Sequence, residues 1–299
     1  MTGVTTGADL ARVWESSGER IEVGGHRIWC RRVPALTDAG RTPLLVLHGF
    51  PTSSVDLYPV LDALSHERDV VILDCLGFGL SDKPDLRYGI RLWADGVVAV
   101  VGHLEIDRVD LLTHDMGDTV GGELLARDLD GVLPFAIGRR VLTNGSIYID
   151  MAHLTDGQQL LLSLPDQIEP MVGADEGVSF RRGVHATFAP GSPEEDLVLD
   201  AATLLAVREG GLALLPRTIR YIEDRRAEES RFTGAIESHP SPLAVVWGQE
   251  DPVAVYAMAQ RVVEAVPGTP LVTLDGVGHY PMVEAPERFS SAVLDFLDT

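Results

Sequence analysis

The sequence predicts an α/β protein: a mostly parallel central sheet with helices on both faces and a helical segment inserted between two strands. Three observations carry that prediction. Short, nearly continuous apolar runs end in polar residues or glycine, helical periodicity fills gaps between them, and one long stretch breaks the rhythm. The chain has 299 residues, above the usual single-domain size, with 45% apolar and 23% charged residues. That is ordinary globular usage, and it excludes a disordered or fibrous chain.

The runs PLLVLHGF (43–50), DVVILDCLGFG (69–79) and RVDLLTHDMG (108–117) read as strands buried on both faces of a parallel sheet. Between the first two, Leu57, Val60, Leu61 and Leu64 fall on one face of a helix. RRVLTNGS (139–146), PLAVVWGQED (242–251) and the shorter PLVTLDG (270–276) continue the alternation. A closing helix has Pro286 near its start and Phe289, Val293, Phe296 and Leu297 along one stripe. Residues 148–238 are rich in helix formers and acidic residues, as in SPEEDLVLDAATLLAVREGG and RYIEDRRAEES, and show no convincing strand. They predict a helical cap over a core made of residues 1–147 and 239–299.

Forty-five acidic against 24 basic residues give a formal net charge of −21. Such a field repels phosphate backbones and anionic lipid, so neither nucleic acid nor a membrane is an expected partner. Cys30 and Cys75 lie inside apolar runs, and nothing in their spacing suggests a disulfide framework or a metal site. The first twenty residues have neither a basic start nor an apolar core, and no stretch approaches a membrane span, so the expected location is the cytoplasm. LDCLGFG lacks the spacing of a dinucleotide-binding loop, and no cofactor is expected. A monomer and a homodimer both stay open.

In a doubly wound sheet, ligands bind beyond the carboxyl ends of the strands, so the polar residues that end the apolar runs are the candidates. THDMG (113–117) is an apolar strand, a sharp turn carrying Asp115, and a helix beginning near Asp118. This is the pattern of a nucleophile elbow, with Gly117 as the small residue two positions on, Thr113 instead of glycine two before, and Asp in place of Ser. Asp251 follows the strand in WGQEDP, and His279 lies in the glycine-rich loop GVGHYP. Nucleophile, acid, then histidine is a recognised triad order. HGFP (48–51) turns at the end of a strand, so the backbone N–H of Phe50, with that of Met116, can form an oxyanion hole.

HGFP, DCLGFGLSDKP, HDMGD, WGQEDP and GHYP, in that order across essentially the whole chain, resemble the aspartate-nucleophile branch of the α/β-hydrolase fold, which includes epoxide hydrolases and haloalkane dehalogenases. HDMGDTVGGELLAR, VLTNGS and RYIEDRR further resemble the mesoderm-specific transcript proteins and their bacterial relatives. The resemblance implies attack by Asp115 on an sp³ carbon, a covalent alkyl ester, and hydrolysis of that ester by water activated by His279 with Asp251 behind it. The implied substrate is a small apolar molecule.

The leaving group separates the relatives. Haloalkane dehalogenases hold halide with a tryptophan after the nucleophile and usually an Asn in the HGNP-type turn; this chain has Met116 and Phe50 there, with no side-chain donor. Epoxide hydrolases commonly carry an aromatic residue in H-G-x-P and donate from cap tyrosines to the epoxide oxygen. Tyr221 matches one such position, and Tyr148, at the edge of the cap, is the candidate second. His48 and His114 flank the site and shape the two turns by local hydrogen bonds, and His48 is placed with Tyr148 among the residues that can touch substrate. Epoxide hydrolysis to a diol is the leading expectation. Haloalkane dehalogenation and a ligand-binding or weakly active role are the alternatives.

Overall fold

The computed structural model of the chain describes residues 3–37, 39–193 and 196–299; Glu194 and Glu195, from the acidic stretch noted above, lie outside the described residues. These residues form one eight-stranded sheet in the order β1-β2-β4-β3-β5-β6-β7-β8. The strands are β1 (Glu19–Val23), β2 (His26–Val33), β3 (Leu44–Leu47), β4 (Val70–Leu73), β5 (Arg108–His114), β6 (Ala136–Thr143), β7 (Leu243–Gly248) and β8 (Leu271–Leu274). From β4 across to β8 the pairings are parallel. Each predicted apolar run contains a strand that ends at or just before its terminal polar residues or glycine.

Alternate side chains of these strands enter two separate apolar clusters. Leu45, Leu47, Val71, Leu73 and Leu111 pack in one, and Leu44, Val46, Val70, Ile72 and Leu112 in the other. Both faces are therefore covered, which is why the runs are apolar at every position rather than at every second one. The antiparallel pair β1 and β2 extends the sheet at one edge. Sequence patterning did not mark it, because exposed and buried positions mix there without clean alternation.

The helix expected through Leu57 and Leu64 is broken. Ser54–Leu57 form a 3₁₀ turn and only Leu61–Leu64, α2, are α-helical. Pro59 sits between them and offers no N–H to continue the ladder. Leu57, Val60, Leu61 and Leu64 are buried together all the same. The other core helices are α1 (Gly7–Ser16), α3 (Ile90–His103), α4 (Met116–Leu129), α10 (Tyr256–Ala265), α11 (Pro281–Glu284) and the predicted closing helix α12 (Pro286–Leu297). No helix among the described residues is long and apolar enough to cross a membrane.

Between β6 and β7 run α5 (Asp156–Ser163), α6 (Val178–His185), α7 (Leu197–Val207), α8 (Leu215–Thr218) and α9 (Tyr221–Ser238), with no strand among the described residues. They do not all sit in one layer. α7 packs on α1, and α9 runs along α4 so closely that a Cβ on Gly122 would lie 2.6 Å from the Phe232 carbonyl oxygen. The chain steps from β3 out to β4 and then back across to β5 on the other side of β3. The loops after β3 and β5 thus leave adjacent strands at a point where the winding reverses, where open α/β sheets form their clefts.

Candidate active site

β5 ends at His114 and α4 begins at Met116, so one residue, Asp115, turns the chain. Its φ of 50° and ψ of −112° lie where side-chain-bearing residues are seldom found. Two glycines on α4 give the turn its room. A Cβ on Gly117 would lie 2.5 Å from the Leu47 carbonyl oxygen, a measure of how closely α4 passes β3. Thr113 is accommodated because its methyl group faces Gly121, where a Cβ would come within 3.0 Å of it.

Around that turn the predicted partners converge. The backbone N–H of Phe50 donates to Asp115 Oδ2 at 2.8 Å, and His279 Nε2 stands 4.0 Å from Asp115 Oδ1. On the far side of the ring, His279 Nδ1 donates to Asp251 Oδ2 at 2.7 Å. Asp251 Oδ1 accepts from the N–H groups of Val253 and Ala254 at 2.7 and 3.0 Å, which fixes the carboxylate and hence the imidazole plane. Met116 opens α4, so its N–H is among the first-turn donors that have no intrahelical acceptor. Asp115, Asp251 and His279 are all buried.

Burial disfavours the His279 imidazolium, but the charges of Asp251 and Asp115 and the bond to Asp251 outweigh it and hold the ring at about 9. Burial, reinforced by the neighbouring His279 charge, pushes His114 down to about 4. His114 is thus neutral, and its Nε2–H donates to the His279 carbonyl oxygen at 2.8 Å, tying the histidine loop to the elbow. The Glu284 carboxylate holds the same loop, accepting from the N–H groups of Gly278 and Tyr280 at 2.9 Å each and from Ala189 at 2.7 Å.

A cavity of about 450 Å³ opens against Phe50, His279 and Tyr280. Its remaining wall comes largely from apolar side chains between β6 and β7, among them Leu160, Leu161, Val172, Phe180, Val184 and Leu215. Tyr221 is buried with its ring 5.6 Å from Phe50 and 6.3 Å from Trp93, and Arg225 lies over it at 5.0 Å. Burial raises its phenol above the ordinary value, and the charge of Asp115 adds to that.

Of the eight predicted site residues, Phe50 and His279 line the cavity, and Asp115, Met116, Asp251, Tyr221, Tyr148 and His48 do not. Tyr148 donates its hydroxyl to Glu237 at 2.7 Å, with Arg261 stacked 4.0 Å over its ring. His48 spends both ring nitrogens on backbone: Nδ1 bonds the Gly49 carbonyl at 2.8 Å and Nε2 accepts from Cys75 N–H at 3.0 Å. The polar atoms of Tyr148 and His48 are thus taken up by these partners. Asp118, in the first turn of α4, is buried, and burial raises its carboxyl well above the usual range.

A family model described as the alpha/beta hydrolase family matches residues 44–292. The chain belongs to the alpha/beta hydrolase family. Within it, the chain is 38% identical over 288 residues to LipZ of Mycobacterium tuberculosis, itself only provisionally named a hydrolase; the match covers 96% of this chain and 97% of that one. It is 32% identical over 297 residues to the mesoderm-specific transcript homolog protein of Bos taurus, covering 96% and 87% of the two chains. Among solved structures, an alpha/beta hydrolase fold protein from Burkholderia ambifaria superposes with a TM-score of 0.74 at 24% identity, over 93% of this chain and 97% of that one. An enol-lactonase from Burkholderia xenovorans gives 0.73 at 21%, over 94% and 100%.

Two residues of this alpha/beta hydrolase site escaped sequence reasoning. Asn144, just after β6 with φ of 49°, donates to Asp251 Oδ2 at 2.7 Å and accepts from Gly248 N–H at 2.9 Å, linking the ends of β6 and β7. Its signal was available: TNGS ends an apolar run as the other site residues do. Tyr280 lines the cavity beside His279, and GHYP carries no sign of which way its tyrosine faces.

Proposed function

We propose that the chain hydrolyses epoxides to vicinal diols through a covalent alkyl ester on Asp115. Family membership makes hydrolysis the reaction class. One observation carries the finer reading: the elbow side chain is a carboxylate, oriented by the Phe50 N–H and facing a histidine backed by an acid. A carboxylate attacking an acyl carbon would give an anhydride, an unprofitable route for an esterase. Attack on an sp³ carbon gives an ester that water can open.

In the first step an Asp115 oxygen bonds the epoxide carbon as the C–O bond of the ring breaks. Asp115 thereby loses its charge. That charge helps to hold His279 at about 9, so alkylation lowers the ring's affinity for its proton when a base is required. His279, its own proton lost to solvent once Asp115 is neutral, then takes a proton from water, which attacks the ester carbonyl carbon. The resulting oxyanion lies within reach of the Phe50 and Met116 N–H groups. Collapse releases the diol and leaves a water-derived oxygen on Asp115.

The helices between β6 and β7 act as a cap, and the largely apolar cavity they close suits a small apolar epoxide. Neither Phe50 nor Met116 offers a side-chain donor to halide. The test is intact-protein mass spectrometry of His279→Gln exposed to panels of epoxides and haloalkanes. The expected result is an adduct of the whole epoxide mass, absent in Asp115→Asn. An adduct lacking halogen, formed in preference, would replace this reading with dehalogenation; no adduct from either panel would remove the alkyl-ester mechanism.

A further inference from the structure

Behind the cavity wall lies a buried carboxyl that the mechanism above does not use. Asp56, on the 3₁₀ turn Ser54–Leu57, is 4% exposed and has no cationic partner within 4.0 Å among the described residues. Thr52 Oγ1 lies 2.5 Å from its Oδ2, and the Tyr280 hydroxyl lies 3.4 Å from the same Thr52 oxygen. Tyr280 lines the cavity, its ring 5.2 Å from that of His279. A continuous file of hydroxyls therefore connects Asp56 to the cavity.

We propose that Asp56, Thr52 and Tyr280 form a proton relay that protonates the oxygen leaving the epoxide carbon. The inference rests on the epoxide reading. Each hydroxyl in such a file has one proton, so the file points one way or the other. With a proton on Asp56, Asp56 donates to Thr52, Thr52 to Tyr280, and Tyr280 presents its O–H to the cavity. With Asp56 ionised, every bond reverses and the cavity meets only an acceptor.

Burial sets the direction. It raises Asp56 to about 8 against the bond from Thr52; the charges of Asp74 after β4 and Asp196 before α7 push the same way, and that of His279 opposes them. At neutral pH the file points at substrate. Tyr280 alone would be a poor acid, because burial, with Asp56, Asp115 and Tyr221 nearby, raises its phenol well above the ordinary value. The relay avoids a phenolate. As the epoxide C–O bond breaks, Tyr280 gives its proton to the departing oxygen, Thr52 gives one to Tyr280, and Asp56 gives one to Thr52. Asp56 ends as the carboxylate. The proton released when the ester is hydrolysed to the Asp115 carboxylate restores it.

The experiment follows ester formation on Asp115 in the His279→Gln protein, with peptide mapping to locate the adduct. Styrene oxide needs a proton for its leaving oxygen, whereas benzyl bromide does not. Tyr280→Phe, Asp56→Asn and the near-isosteric Thr52→Val are expected to slow alkylation by styrene oxide ~10- to 100-fold and to leave alkylation by benzyl bromide within about twofold. The bromide rate also shows that each variant keeps its pocket. In the parent, the styrene oxide rate should fall as pH rises through about 8, or somewhat above it once the His279 charge is gone, and that fall should vanish in Asp56→Asn. Equal slowing with both probes, or none with either, would reduce the three residues to packing and overturn the relay. Absence of any adduct on Asp115 would instead overturn the epoxide reading, and the relay with it.

Discussion

The loops at the strand ends and the helices between β6 and β7 both face the cavity, and they face it with opposite chemistry. On the loop side, Asp115, His279, Asp251 and Asn144 are joined by directed hydrogen bonds and ion-pair contacts anchored to four parallel strands. On the helix side the wall is mostly aliphatic, and two of its members, Leu160 and Met171, are 61% and 77% exposed. Directed bonds fix atoms to within tenths of an ångström, which bond-making requires. Apolar surface only sorts molecules by size and polarity. Substitutions on the two sides should therefore fail in different ways.

The largest effect is expected at Asp115. Asp115→Asn should cost ~10⁴-fold or more in turnover, as loss of a nucleophile does elsewhere. A second readout distinguishes this from general damage. His279 stands at about 9, above the ordinary 6.5, partly because Asp115 is charged. In Asp115→Asn its titration, followed by NMR of the ring protons, should move down. The sign for stability follows from linkage: a raised histidine value stabilises the fold fully below about 6.5, and that contribution is lost as pH climbs through about 9. Asp115→Asn should therefore lose less stability than the wild type between those values. An unmoved His279 titration would mean that Asp115 and His279 are not electrically joined.

Asn144 comes next, because it supports the chemistry without performing it. Asn144→Ala leaves the Gly248 N–H buried and unpaired and removes a donor from Asp251, a loss of about 1–3 kcal/mol. Its φ of 49° adds strain for alanine that glycine escapes. Urea unfolding should thus rank wild type above Asn144→Gly and Asn144→Ala last, with turnover falling in both variants. If alanine matched glycine, the backbone strain argument would be wrong.

The same contrast explains what the sequence discloses. Asp115, Asp251 and His279 are legible because each lies in the turn or loop that follows an apolar run, and a parallel sheet delivers those connections to one edge. Tyr148 and Tyr221 belong to a segment where no such rule applies. A tyrosine there can face the cavity, a neighbouring helix or Glu237, and helical periodicity does not choose among them. Asp56 and Thr52 were hidden for another reason: the periodic pattern around Leu57 and Leu64 suggested one helix, whereas Pro59 leaves a separate 3₁₀ turn that carries Asp56 under Tyr280. Pairing of that kind is set by tertiary packing, not by spacing along the chain.

The smallest effect, and the one most specific to the helix side, is expected at its exposed rim. Leu160 and Met171 combine a cavity-facing position with high exposure, so polar replacements there remove little buried surface. Leu160→Ser with Met171→Ser should change unfolding free energy by no more than about 0.5 kcal/mol per site, as surface substitutions do. Their cost should fall on substrate capture. Each apolar side chain contributes to binding equally in the ground and transition states, so KM for an apolar epoxide should rise about two- to fivefold with kcat unchanged. Steady-state kinetics on epoxides of increasing chain length would check this, because a longer chain reaches further along the rim and should show the larger rise. A fall in kcat instead would mean that the rim moves with the chemistry, and that the division between a rigid reacting side and a selecting side does not hold for this molecule.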